Sequence, residues 1–364
     1  MLRFLENTIM RNWSSYFPHR QPPRGLQPLI LCSSPYRGVI MYFDKGCSSP
    51  LLKVKVGSPF KYICREHETL INLYRMVSPQ IRATLPRPLD MVEFDGRIAA
   101  FEECLDGITL FVRYNRSSHE ASRGLDYADG ALEWLVNFAS DTRVTNSNSL
   151  ACLSEVAGSR VWETSCAPGV ADLVQECCER LARSELHLAF TAVHGDFWLG
   201  NLLFKDRTLT GVIDWEYAHA IGESTSDLFH FLLTFANYLD RMEADRTRLR
   251  RNPSWGQLPG DWLDVVPNAS ASTLAKAMRF VFFDDNWLAR YAKERTARHL
   301  QKMATDPSLA VDLLSLYLAR QAALFYSIVE EDLVPCKGLY YKEFLDLLTL
   351  WQVFSHGSWL STLA

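Results

Sequence analysis

Short β-prone runs crowd into one stretch of this chain, between Leu29 and Glu102, and hardly recur until residue 191. They are Leu29–Cys32, Val39–Phe43, Leu51–Val56, Leu89–Phe94 and Arg97–Glu102, separated by Ser, Pro and Gly turns and, for the last two, by Asp95-Gly96. Runs of this length between turn residues predict strands joined by tight connections, hence a small, mostly antiparallel sheet. One segment breaks the pattern: Tyr62–Met76 carries Ile63, Leu70, Leu73 and Tyr74 at helical spacing and predicts a single helix. Beyond Asp106-Gly107 the texture is helical, with helices expected at 127–139, 170–183, 227–239, 273–296, 309–328 and 340–354. The fifth has a clear start, Asp306 as N-cap and Pro307 at the first position. An α+β chain in two lobes follows, with residues 29–104 as the small sheet lobe and 105–364 as the larger helical lobe, cut near Cys104–Gly107. Residues 1–28, marked by Pro18, Pro22, Pro23 and Pro28, read as an extension with at most one short helix. The polar segments 140–168 and 241–272 read as insertions or loops.

Composition excludes several classes. With 48% hydrophobic and 22% charged residues the chain resembles an ordinary globular protein rather than a disordered or collagenous one. Its 38 basic against 42 acidic residues give a net charge of −4, without the basic excess of a nucleic-acid binder. The run Arg246, Arg248, Arg250, Arg251 lies next to Glu243 and Asp245 and reads as a solvated face. No run of 18 apolar residues suggests a membrane span; the richest, Leu228–Leu239, is 12 residues long and reads as a buried helix. Nine cysteines, and an opening interrupted by Arg3, Glu6 and Arg11, lead to the expectation of free thiols in a reducing cytoplasm.

Chemistry concentrates in His194-Gly-Asp-Phe-Trp-Leu-Gly-Asn201 and Gly211-Val-Ile-Asp-Trp-Glu216. Asp196 is followed five residues on by Asn201, and Asp214 comes 13 residues later at the end of a β-prone run. Phosphoryl transfer asks for such a set. Negative charge spreads over the transferred group, so the protein must orient the attacking hydroxyl with one carboxylate and hold Mg²⁺ with an amide oxygen and a second carboxylate. His194, Asp196, His219 and His230 match no short zinc signature.

These motifs resemble the aminoglycoside phosphotransferase and choline kinase-like superfamily, small-molecule relatives of the protein kinases, over roughly residues 29–240. The resemblance implies a bilobal protein kinase-like fold and an ATP- or GTP-dependent O-phosphotransferase using Mg²⁺. Its acceptor would be a hydroxyl of a small molecule: a sugar, an aminoglycoside or a nucleoside-like alcohol, with choline or an amino alcohol as the alternative. It assigns Asp196 to catalysis, Asn201 and Asp214 to metal, and His194 and Asp227 to support of the loop. It places the nucleotide-binding lysine at Lys53, held by Glu66, with Lys55 and Glu68 as rivals. Two residues along a strand keep the same face, so spacing leaves Lys55 open. Glu103, in Phe101-Glu-Glu-Cys-Leu-Asp-Gly107, falls in the lobe-connecting segment that would meet the base. No Gly-x-Gly-x-x-Gly precedes the lysine; Ser33-Ser-Pro-Tyr-Arg-Gly38 stands there, with Ser34 as a phosphate contact. Asp284, Asp285, Glu330 and Glu331 are acidic candidates for a cationic acceptor. A nucleotide-binding pseudokinase is the reading from another class; intact Lys53, Glu66, Asp196, Asn201 and Asp214 speak against it.

Overall fold

The β-prone runs of the first hundred residues become one antiparallel sheet, and the helical periods after them become a separate set of packed helices. A computed structural model describes residues 1–33, 37–57, 61–112, 121–144, 150–164, 166–184, 188–247, 257–267, 269, 272–330 and 338–363. In chain order its elements begin α1 (Leu2–Arg11), α2 (Trp13–Tyr16), β1 (Leu26–Ser33), β2 (Arg37–Asp44), β3 (Pro50–Gly57), α3 (Lys61–Met76), α4 (Pro79–Arg82), β4 (Pro88–Phe94), β5 (Arg97–Glu103) and β6 (Ile108–Thr109). They continue with α5 (Ala121–Asp141), α6 (Ala151–Ala157), α7 (Val161–Thr164), α8 (Val170–Arg183), β7 (Phe190–Val193), β8 (Leu202–Lys205), β9 (Thr208–Val212) and β10 (His219–Glu223). The last are α9 (Ser226–Thr247), α10 (Gly260–Val265), α11 (Thr273–Phe282), α12 (Trp287–Met303), α13 (Ala310–Glu330) and α14 (Gly338–Phe354).

The chain divides into two units, Met1–Leu110 with Asn201–Ala218, and Phe111–Gly200 with His219–Ala364. The cut expected near Cys104–Gly107 falls a few residues later, between Leu110 and Phe111, and residues 201–218 return to the first unit. The reason is local pairing, since β8 is hydrogen-bonded to both β6 and β9.

In the first unit the sheet runs β1-β2-β3-β5-β4, every pair antiparallel. Its register sets Lys53 opposite Glu102 and Lys55 opposite Ala100. Residues 1–28 are not a bare extension. Leu5, Ile9 and Trp13 recur every fourth residue along α1 and α2, and with Tyr16 and Phe17 they share a buried cluster with Ile40, Tyr42, Leu52, Val54 and Phe101. The charges that interrupt this segment, Arg3, Glu6 and Arg11, lie off that stripe. Each large apolar side chain so buried contributes about 1.5–3 kcal/mol. Polar ties complete the attachment: Tyr16 Oη donates to Asp90 at 2.8 Å, and Arg87 donates to the Tyr16 carbonyl.

The second unit is built mainly of helices around Phe229, Phe231, Phe235, Phe282, Tyr317 and Trp351, all fully enclosed. The helix expected over 273–296 is two helices. The first ends at Phe282, and Asn286 caps α12, its side chain accepting from the Leu288 and Ala289 N–H groups at 2.9 Å each. The segment 140–168 contains α6 and α7, and in 241–272 α9 runs on to Thr247 and α10 follows. Among the described residues one helix, Pro307–Glu330, is long and apolar enough to cross a membrane, a longer apolar element than Leu228–Leu239. It is mostly buried within the protein and carries Arg320, whose guanidinium pairs with Glu223 in the interior.

Candidate active site

In the first unit, strand β3 directs Lys55 into the interior, where its ammonium meets two carboxylates. Lys55 Nζ lies 2.5 Å from both carboxylate oxygens of Glu66 on α3 and donates to Asp214 Oδ1 at 2.9 Å. Glu66 is also fixed by the Trp215 backbone N–H, which donates to Oε1 at 2.9 Å. Lys55 and Glu66 are 2% and 3% exposed. Burial alone would push the lysine toward neutrality, but Asp214, Glu66 and Glu102 around it outweigh that and hold it charged. The expected pairing of Lys53 with Glu66 is therefore corrected: Lys53 pairs with Glu102, the residue opposite it on β5, and Lys55 takes Glu66. Both lysines share a face of β3, and the cross-strand register with the position of α3 decides between them.

Asn201 and Asp214 stand at adjoining ends of the β8–β9 hairpin. Leu202 pairs with Val212, and the Ile213 N–H donates to the Asn201 carbonyl at 2.9 Å. Asp214 has φ +69°, a left-handed backbone in which a non-glycine residue is strained. One amide oxygen and one carboxylate are hard donors of the kind Mg²⁺ accepts, an ion that keeps several waters and uses one or two carboxylates together with substrate phosphates. The donor set fits that ion; among the described residues no group of three or more His, Cys, Asp or Glu forms a cage for a metal.

The second unit holds the other half of the motif. Gly195 has φ +81°, a turn for which glycine is suited, and it sets the loop after β7. Asp227, in the first turn of α9, accepts from the His194 N–H at 2.6 Å and the Gly195 N–H at 2.9 Å. Burial raises the Asp227 carboxyl above its ordinary pKa, while His194 and these N–H groups pull it back. His194 is fully buried, and its Nδ1 accepts from the Asp196 N–H at 3.2 Å. Phe197 anchors the loop from within, its ring stacked on Trp134 with centroids 5.5 Å apart. Asp196 thus leaves a loop pinned on both sides, and its Oδ1 lies 3.2 Å from Nε2 of His230.

Other expected residues have local partners. The Glu103 carboxylate accepts from Arg87 Nε at 2.8 Å, and its N–H donates to the Arg87 carbonyl at 2.9 Å. Asp284 faces Arg279 at 3.1 Å, Asp285 faces Arg290 at 2.7 Å and Glu330 faces Arg160 at 3.1 Å, so each of the three acids has its own arginine. Ser34 and Glu331, with Arg248, Arg250 and Arg251, lie outside the described residues. Sequence reasoning passed over two residues. His230 belongs to no zinc signature, but it follows Asp227 by three positions and so shares its side of α9. Tyr317, 87 residues further on, gave no signal.

The sequence profile of the phosphotransferase enzyme family matches residues 71–260, more than half of the 364, and the chain belongs to that family. It is a phosphotransferase. No sequence of a characterised protein matches it significantly. Among solved structures it is similar to the aminoglycoside phosphotransferase APH(3'')-Id of Streptomyces rimosus in complex with ADP and streptomycin. Identity there is 12%, TM-score 0.40, and the match covers 84% of this chain and 100% of the other. It is also similar to the choline kinase LicA of Streptococcus pneumoniae, with 13% identity, TM-score 0.37 and coverage of 83% and 99%.

Proposed function

We propose that this phosphotransferase moves the γ-phosphoryl group of ATP or GTP, with Mg²⁺, to a hydroxyl of a small cytoplasmic molecule, a sugar, aminoglycoside or nucleoside-like alcohol. The buried ammonium of Lys55, shared between Glu66 and Asp214, carries this reading. A lysine fixed in charge and direction by two carboxylates is suited to grip nucleotide phosphates, whereas a merely structural pair needs one. Mg²⁺ held by Asn201 and Asp214 would neutralise charge on the β- and γ-phosphates.

Asp196 receives the hydrogen of the acceptor hydroxyl. Carboxylic acids are far more acidic than alcohols, so orientation outweighs early deprotonation, and a loose transition state needs no strong base. His194 and Asp227 keep the loop in shape through its backbone. The backbone around Glu103 meets the base, since the carboxylate already has Arg87.

The test is release of ADP and GDP, with and without Mg²⁺, against a panel of aminoglycosides, sugars, nucleosides and choline. The expected result is metal-dependent release stimulated by one acceptor class and lost in Asp196→Asn. Nucleotide binding with no turnover on any alcohol would replace the reading with a pseudokinase.

A further inference from the structure

His230 lies one helical turn after Asp227 on α9 and is 5% exposed. Its two ring nitrogens have different neighbours: Nδ1 is 3.0 Å from the hydroxyl of Tyr317 on α13, and Nε2 is 3.2 Å from Oδ1 of Asp196. Tyr317 is wholly enclosed. Burial, and then the negative charges of Asp196 and Asp227, raise its phenol well above the ordinary value, so it keeps its proton and offers one O–H. If that hydrogen goes to Nδ1, a neutral ring must carry its own hydrogen on Nε2, on the side of the carboxylate. The opposite tautomer would set a ring lone pair 3.2 Å from a carboxylate oxygen, acceptor against acceptor.

Nε2 has no well-aligned hydrogen-bond partner among the described residues, although it is shut off from solvent. A buried N–H without a partner is a standing penalty, and Asp196 Oδ1 is the acceptor within reach. Hydrogen bonds at reacting groups are often poorly aligned before substrate arrives and tighten when it binds.

We propose that His230 is a positioning residue for Asp196: the Tyr317 hydroxyl donates to Nδ1, this fixes the neutral Nε2–H tautomer, and Nε2–H holds Oδ1 of Asp196. The inference rests on Asp196 as the residue that receives the acceptor hydroxyl. A neutral donor leaves the carboxylate its negative charge. With one oxygen held, rotation of the carboxylate is restricted and its direction toward the acceptor is set before the acceptor arrives. Tyr317 acts one step further out, as the group that chooses the tautomer.

Two measurements test this. Ring ¹⁵N NMR of the intact protein, with His230→Gln used to assign the signal, reads the tautomer without any acceptor. A neutral ring protonated at Nε2, changed in Tyr317→Phe, is expected; protonation at Nδ1 overturns the proposal. In turnover, His230→Leu is expected to lower kcat about ten- to a hundredfold with little change in nucleotide KM, the range for a hydrogen bond to a charged group. His230→Gln, which retains an amide donor, restores most of it, and Tyr317→Phe slows the wild type but not the Gln variant. Equal losses for Leu and Gln, or an equal Tyr317→Phe penalty in both backgrounds, would reduce His230 to packing. If Asp196→Asn kept full turnover, the functional reading would fall instead, and the tautomer would still be decided on its own.

Discussion

Two buried carboxylates, Glu66 in the first unit and Asp227 in the second, are held by opposite means. Glu66 is held by charge: the Lys55 ammonium lies on both its oxygens and is itself shared with Asp214. Asp227 is held by backbone: the N–H groups of His194 and Gly195 take one oxygen each, and among the described residues it has no lysine or arginine partner. The first arrangement fixes the position of a charge, which suits a group that must meet phosphates. The second fixes the shape of a loop, which suits one that must present a side chain, Asp196, in a set direction. A charge is fixed in one unit and a loop geometry in the other, so equivalent substitutions should fail in different ways.

The largest expected effect is on the loop side. Asp196→Asn should lower turnover by roughly 10²–10⁴ while melting temperature and nucleotide affinity stay near those of the wild type; turnover within a few-fold of wild type would break the distinction. On the charge side, Lys55→Met leaves Glu66 and Asp214 facing each other without a cation. A loss of about 3–5 kcal/mol in stability is expected, as for breaking other buried pairs, together with weakened nucleotide binding. Lys53→Met is the control: urea unfolding and nucleotide titration should show it to be the milder of the two, and a reversed order would return the role to Lys53.

A third test concerns pH. His299 is wholly buried, Nε2 donates to the Ser224 carbonyl at 2.9 Å, and burial lowers its pKa to about 4 despite that hydrogen bond. The unfolded chain takes up a proton near pH 6.5 while the folded one resists until about pH 4. Stability is therefore full above pH 6.5 and falls as the pH drops through that window, by up to about 3 kcal/mol. Unfolding followed from pH 7.5 to 4.5 should show this slope, flattened in His299→Gln; an unchanged slope in the variant would place the acid sensitivity elsewhere. The smallest effect is at Asp285, an exposed acid paired with Arg290. Asp285→Asn should leave the melting temperature as it was, and acceptor KM decides whether the acid has a binding role.

Much of this was legible in the sequence. Each of the five strands and the helix between the third and fourth reflects a local signal, alternation or a 3.6-residue period between turn residues. The Asp196–Asn201 and Asp214 spacing is likewise local, because a loop and a hairpin place those side chains. What was not legible depends on register and packing between distant segments. Lys53 and Lys55 share a face, and only the pairing of Lys53 with Glu102 across β3–β5 leaves Lys55 for Glu66. Tyr317 lies 87 residues from His230, with no periodicity to connect them. The N-terminal helices had a readable stripe in Leu5, Ile9 and Trp13, obscured by the prolines that follow it. Asn286, before Trp287 and Leu288, was a readable N-cap inside what looked like one continuous helix.

The most direct measurement is product analysis by mass spectrometry after incubation of the protein with Mg²⁺, ATP or GTP and the alcohol panel. The expected products are a nucleoside diphosphate and one alcohol heavier by a single phosphoryl group. Release of pyrophosphate with a nucleotidylated alcohol, or unchanged nucleotide across the whole panel despite tight binding, would contradict γ-phosphoryl transfer.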